Sequence, residues 1–267
     1  MTTGRGTRIA LSIVSALILV FIYVPIGLIF LYAFNDAASA AWPPAGLTLR
    51  WFGVAFANTA LQQAFLASIV AALGATLLAL TLGTLAALAV SRYHFFGRET
   101  VSFVVIFPIA LPGIVTGIAL LTAFAQIGFP LGMFTIIVGH ATFCIVLVYN
   151  NAIARLRRTA RSFEEASADL GADTFQTFRY VTFPALRTSL LAGALLAFAL
   201  SFDEIIVTLF VAGGVKTLPV WIFQSFRLNN QIPVVNVAGL IAILLSVIPV
   251  YIATRLSADD DVTGARG

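Results

Sequence analysis

Charge is what this sequence has least of. Only 10% of its 267 residues are Asp, Glu, Lys or Arg, 60% are apolar, and the mean hydropathy is +1.03. A soluble globular domain carries ~25% charged and ~45–50% apolar residues, so a soluble enzyme and a disordered chain are both excluded. The pI near 9.6 with a net charge of +4 reads as membrane topology rather than as a nucleic-acid surface. One cysteine and two histidines leave no disulfide framework and no His/Cys metal cage. No G-x-x-x-x-G-K-[ST] phosphate loop is present. Gly213-Gly214-Val215-Lys216-Thr217 resembles one only superficially, so any ATP chemistry must come from another chain. H-E-x-x-H and G-x-S-x-G are also missing, which removes the usual intramembrane hydrolase constellations. No catalytic residue, cofactor or metal is expected.

What the chain does have is long apolar runs. A helix needs ~20 mostly apolar residues to cross a ~30 Å hydrocarbon core, and backbone groups in lipid must be satisfied within a helix or closed barrel. These runs are too long for barrel strands. They give six helical spans: Ile9 to Phe34, Gln63 to Ser91, Val101 to Gln126, Met133 to Ala154, Thr188 to Val211 and Val235 to Arg255. The first begins after Arg5 and Arg8 and precedes a cleavage-like Ala38-Ser39-Ala40. Its 26 uncharged residues exceed the ~7–15 of a signal-peptide core, so it is expected to be an uncleaved span. Twelve of the 15 basic residues fall on one side, the other side having only Arg50, Lys216 and Arg227. By the positive-inside rule both termini are cytoplasmic. Residues 1–258 are expected to form a single membrane domain, and residues 259–267, with Asp259-Asp260-Asp261, a disordered tail. In the first outer loop, Leu49-Arg50-Trp51-Phe52 fits either a short interfacial amphipathic helix or an ordered loop. Pro108, Pro112 and Gly113 either bend the third span or pack it closely.

The cytoplasmic stretch 155–187 is too long for a simple turn. Ser162 and Glu165 have capping-box spacing, Glu164 and Glu165 suit the positive end of a helix dipole, and Gly171 suits a left-handed stop. These features predict a short extramembrane helix from Phe163 to Leu170, with Pro184 in the first turn of the next helix.

Glu165-Ala166-Ser167, three residues, Gly171, nine residues and Val181-Thr182-Phe183-Pro184 resemble the EAA loop of bacterial ABC importer permeases, E-A-A-x3-G-x9-I-x-L-P. Ser167, Val181 and Phe183 are small or apolar replacements. The resemblance implies an all-α, six-span permease of type I, methionine-importer-like fold. Its short helix would couple the membrane to a cytoplasmic ATPase through Glu164, Glu165, Ala166, Ser167, Asp169, Leu170 and Gly171. The preceding Arg155, Arg157, Arg158 and Arg161 either touch that ATPase or anionic lipid, or serve only as positive-inside anchors.

Asp203 and Glu204 are the acids inside an expected span, and no Lys or Arg in a span neutralises them. Such acids are costly in lipid and face water, a partner helix or a cation. Either they attract a cationic substrate, or they make structural hydrogen bonds with help from Ser201 or Thr208. Cys144 and His140, both mid-span, are expected to pack and to hydrogen-bond rather than to ligate. Further segments resemble the second, C-type permease of spermidine/putrescine importers: Ser201-Phe202-Asp203-Glu204-Ile205-Ile206-Val207, Leu111-Pro112-Gly113-Ile114-Val115-Thr116-Gly117-Ile118-Ala119-Leu120, Leu49-Arg50-Trp51-Phe52 and Arg92-Tyr93-His94-Phe95-Phe96-Gly97-Arg98. That resemblance implies a subunit of the bacterial inner membrane forming half of a path for a small cationic solute. The implied partners are a homologous second permease, two cytoplasmic ATP-binding-cassette ATPases, a periplasmic or extracellular solute-binding protein and membrane lipid, with no nucleic acid. Asp203 and Glu204 would then lie on the substrate path. Trp221, Phe223 and Phe226 either contact the binding protein or substrate, or anchor at the interface. The alternatives are a related importer for another solute and an ion-coupled secondary transporter, though the internal repeats usual in the latter are not evident.

Overall fold

The computed structural model describes residues 4–39, 42–227 and 232–264, the backbone alone over 257–264. Among the described residues every regular element is helical. The chain packs as two units, residues 1–62 with 222–243 and residues 63–221 with 244–267.

The first unit opens with α1 (Arg5–Ala33), a 29-residue helix whose apolar side chains point outward along almost its whole length, as suits a lipid-facing span. The loop after it is organised by buried Asn35. The Asn35 carboxamide oxygen accepts from Ala45 N at 3.1 Å, and its backbone carbonyl accepts from Trp51 Nε1 at 2.9 Å. That indole tether orients α2 (Arg50–Ala57), so Leu49-Arg50-Trp51-Phe52 forms a helix start rather than an irregular loop.

The second unit is built around small residues. Helix α3 (Thr59–Arg92) carries Ala75, Ala79, Gly83 and Ala87 at four-residue intervals, one stripe along its length. With so little side chain the backbones approach closely. A Cβ on Gly83 would lie 3.0 Å from Ile145 O and 3.1 Å from Val148 Cβ.

After α3 the chain turns at Gly97 into α4 (Arg98–Ile106), a 3-10 turn (Phe107–Ala110) and α5 (Gly113–Gln126). Together these occupy the expected third span, but not as one rod: the two parts meet at 109°. Pro112 lacks an N–H and drives Leu111 to extended backbone, ψ 137°. The prolines and Gly113 therefore break this segment.

Helix α6 (Met133–Arg158) is the most deeply packed element. Cys144, Val148, Tyr149, Ala152 and Leu156 join the α3 stripe and Leu186, Leu190 and Ala197 from the next long helix. There follow α7 (Ser162–Asp169), α8 (Thr174–Thr177), a π turn (Phe178–Thr182) and α9 (Phe183–Phe202). From Thr174 to Phe202 the chain is one continuous helical run of 29 residues. Pro184 sits just inside α9. Its ring would crowd the carbonyl four residues back, and the wider π turn relieves that conflict.

The fifth crossing thus begins and ends earlier than the expected Thr188 to Val211. The helix stops at Phe202, and α10 (Ile206–Val211) is a separate short helix after a break at Asp203-Glu204-Ile205. Then come α11 (Leu218–Ser225) and α12 (Ile232–Gly264). The helical backbone of α12 continues through residues 259–264, where a tail was expected, and 265–267 lie outside the described residues. Among the described residues five helices are long and apolar enough to cross a membrane, and six spans result when the bent pair is counted as one.

Candidate functional site

Two places concentrate the polar chemistry. The first is α7 with its flanks. It begins at Ser162, one residue earlier than expected, and Arg161 holds the cap position with no side-chain capping bond, so the Ser162–Glu165 box is not formed. Glu165 instead lies 3.4 Å from Arg161 Nε in an exposed i,i+4 pair. The box appears eleven residues later: Gln176 N donates to Asp173 Oδ1 at 2.8 Å, and Asp173 N donates to Gln176 Oε1 at 2.9 Å. Gly171 ends α7 as expected, with φ +86°, while Gly171 N donates to Ala168 O and Ala172 N to Ser167 O.

The helix has two faces. Glu165, Ala166, Asp169 and Leu170 are exposed, Leu170 at 90%, with Gly171 beside them. Glu164 and Ser167 turn inward. Arg92 Nε lies 2.9 Å from one Glu164 carboxylate oxygen and 3.1 Å from the other, and Thr182 Oγ1 donates to Glu164 at 3.1 Å. Ser167 shares a hydroxyl hydrogen bond with Thr177 at 3.0 Å. Of the seven residues assigned to this segment, Glu164 and Ser167 therefore attach α7 to its own chain, while the other five present a small, partly apolar surface. Arg155 is also engaged locally, its Nε donating to Ala185 O at 3.0 Å.

The second place is the break between α9 and α10. Asp203 is exposed at the carbonyl end of α9, and its carboxylate makes no hydrogen bond or ion pair among the described residues. Glu204 is half-buried and its side chain accepts from Val207 N at 2.9 Å, capping α10. The acids thus diverge in role: one closes a helix, the other stands at the negative end of a helix dipole.

The break is held from α6. His140, fully buried, lies 2.7 Å by Nδ1 from Ser201 Oγ and 2.8 Å by Nε2 from Thr208 Oγ1. Thr208 donates to Glu204 O at 3.0 Å, so its oxygen is left to accept from Nε2–H, and Ser201 donates to Nδ1. Cys144 Sγ contacts Ala197 O at 3.3 Å, and Thr135 Oγ1 donates to Val211 O at 2.6 Å. Three α6 side chains therefore fasten the two sides of the break. Reading the sequence identified Ser201 and Thr208 as potential hydrogen-bonding partners of the acids but not His140 as their common clip. Arg92 and Thr182 were not identified as partners of Glu164. Among the described residues no cluster of three or more His, Cys, Asp or Glu is placed to hold a metal ion.

Residues 79–259 match the family model described as binding-protein-dependent transport system inner membrane component. The chain belongs to this family. As a permease of it, the chain is a multi-pass inner-membrane transport component, and such components work with a partner permease, an ATPase and a binding protein. It is 36% identical over 218 residues to the putrescine transport system permease protein PotI of Escherichia coli, covering 78% of this chain and 77% of that one. It is 32% identical over 249 residues to the E. coli spermidine/putrescine transport system permease protein PotC, covering 92% of this permease and 93% of PotC. Among solved structures, it resembles a chain of a bacterial ABC transporter involved in alginate import, with TM-score 0.71, 19% identity and coverage of 97% and 99%. It also resembles the inward-facing MetNI methionine ABC transporter, with TM-score 0.58, 17% identity and coverage of 74% and 93%. These two neighbours show the fold: that of ABC importer permeases, as the EAA resemblance implied.

Proposed function

We propose that this permease forms half of the translocation path of an importer for a small cationic solute of the polyamine class. Residues 1–258 act as one permease domain with both termini cytoplasmic, and α7 docks on a separate ATPase. The observation that carries this reading is the pair of carboxylates at a break within the stretch Thr188 to Val211, which is otherwise uncharged. Asp203 adds its charge to the carbonyl end of a 20-residue helix, a combination that favours a cation. The names of its PotI and PotC relatives agree with that chemistry.

The coupling role rests on the exposed face of α7. Ala166 and Gly171 permit close approach, Leu170 offers an apolar knob, and Glu165, whose pair with Arg161 is exposed, can exchange it for a base on the partner. ATP-driven movement of the ATPases would displace α7 and open or close the path, with substrate delivered from the outer side by a binding protein. The outer residues Trp221, Phe223 and Phe226 are divided in exposure: Trp221 is buried, while Phe223 and Phe226 are exposed. Only the latter two are available to a binding protein or a cation.

Three substitutions test these roles in proteoliposomes holding the whole complex. Asp203→Asn and Glu204→Gln lower uptake of labelled putrescine more than they lower complex assembly, and equal uptake by wild type and both variants would sink the substrate-path role. Glu165→Lys abolishes co-purification of the ATPase. Retained association and uptake would remove the coupling assignment.

A further inference from the structure

Helix α7 has eight residues, too few to be stable or to carry force without attachment. Its exposed face is reserved for docking, so whatever passes its displacement to the membrane must act from the inward face. There one carboxylate gathers three separate elements. Glu164 receives Arg92 from the end of α3 at 2.9 Å and Thr182 from the π turn at 3.1 Å. Arg92 in turn donates by Nη1 to Leu156 O, in the last turns of α6, at 3.5 Å. Both side chains are largely withdrawn from solvent, 14% and 18% exposed.

A partly buried ion pair of this kind gives little net stability against an apolar replacement, but it fixes geometry, and removing one member leaves the other stranded. The exposed Arg161–Glu165 pair on the same helix, 59% and 65% exposed, is the contrast: screened by solvent, it ties α7 only to itself. From Thr182 the helix runs unbroken to Phe202, beside the acids. A push on α7 therefore reaches α3 through a guanidinium and the acidic break through the π turn and α9.

We propose that Arg92 and Glu164 are positioning residues forming the joint that transmits movement of α7 to α3 and α9, without themselves touching the ATPase or the substrate. This rests on α7 being the ATPase-docking helix, and Glu165→Lys tests that separately.

The experiment uses the full complex of both permeases, ATPases and binding protein in proteoliposomes. It measures ATPase association, ATP hydrolysis and putrescine uptake for Glu164→Gln, Arg92→Lys and the exchange Arg92→Glu with Glu164→Arg. Glu164→Gln keeps the acceptor for Thr182 and removes only the charge. The single variants retain the ATPase and hydrolyse ATP, yet uptake per ATP falls about tenfold, the scale of a lost charged hydrogen bond, and the exchange recovers part of it. A spin label at Leu85→Cys on α3, with Cys144→Ala, reads the same joint without substrate. Its ATP-induced change is present in wild type and lost in Glu164→Gln. Wild-type uptake per ATP with an unaltered label response would overturn the joint, as would proportional loss of uptake, hydrolysis and assembly in both conservative variants. If Glu165→Lys loses the ATPase while Glu164→Gln behaves as wild type, the joint alone fails. If Glu165→Lys keeps it, the docking role fails.

Discussion

Asp203 and Glu204 are neighbours in sequence with different duties. Glu204 spends one carboxylate oxygen on Val207 N, so its substitutions separate. Glu204→Gln keeps an oxygen for the cap, whereas Glu204→Ala loses it and destabilises the permease by about 1 kcal/mol. Thermal unfolding of the purified complex in detergent checks this, with a lower midpoint for Ala than for Gln. Asp203 has no such local use, so its charge is the one expected to meet the solute. Gly171 was legible from its place in the loop pattern because a left-handed stop is a local requirement that glycine meets. Glu164 was not legible as an anchor: its partner Arg92 is 72 residues away, and nothing in a single sequence pairs the two.

At the scale of elements, the broken fifth crossing depends on α6. His140→Leu keeps a buried side chain of similar breadth but removes both hydrogen bonds and strands the Ser201 and Thr208 hydroxyls. Each unsatisfied buried group costs roughly 1–3 kcal/mol, and Thr208→Val is expected to give a part of that loss. Equilibrium denaturation in mixed micelles reads it directly, with the two losses overlapping rather than adding if His140 and Thr208 share one bond. The long apolar helices themselves were legible because lipid demands them. The bend at Leu111-Pro112 was legible because proline enforces it. The break at Asp203 was not: Ser201 to Val207 contains no glycine or proline, and tertiary bonds from His140, 61 and 68 residues from its partners, stabilise what local preference does not specify.

Across the whole molecule the scarcity of charge acquires a pattern. By the span assignment read from the sequence, 12 of the 15 basic residues fall in segments of one side, which is the basis on which cytoplasmic termini are proposed. Four acids, Glu164, Glu165, Asp169 and Asp173, gather around α7 and α8, and two mark the break in the fifth crossing. Family membership accounts for the architecture and for dependence on partner subunits. The most direct test is ATP-driven accumulation of labelled putrescine in proteoliposomes containing the complete complex, comparing wild type with Asp203→Asn at equal assembly. ATP-dependent accumulation in wild type and a marked loss in Asp203→Asn is the predicted result. No putrescine accumulation in wild type, or undiminished accumulation in Asp203→Asn, would contradict it.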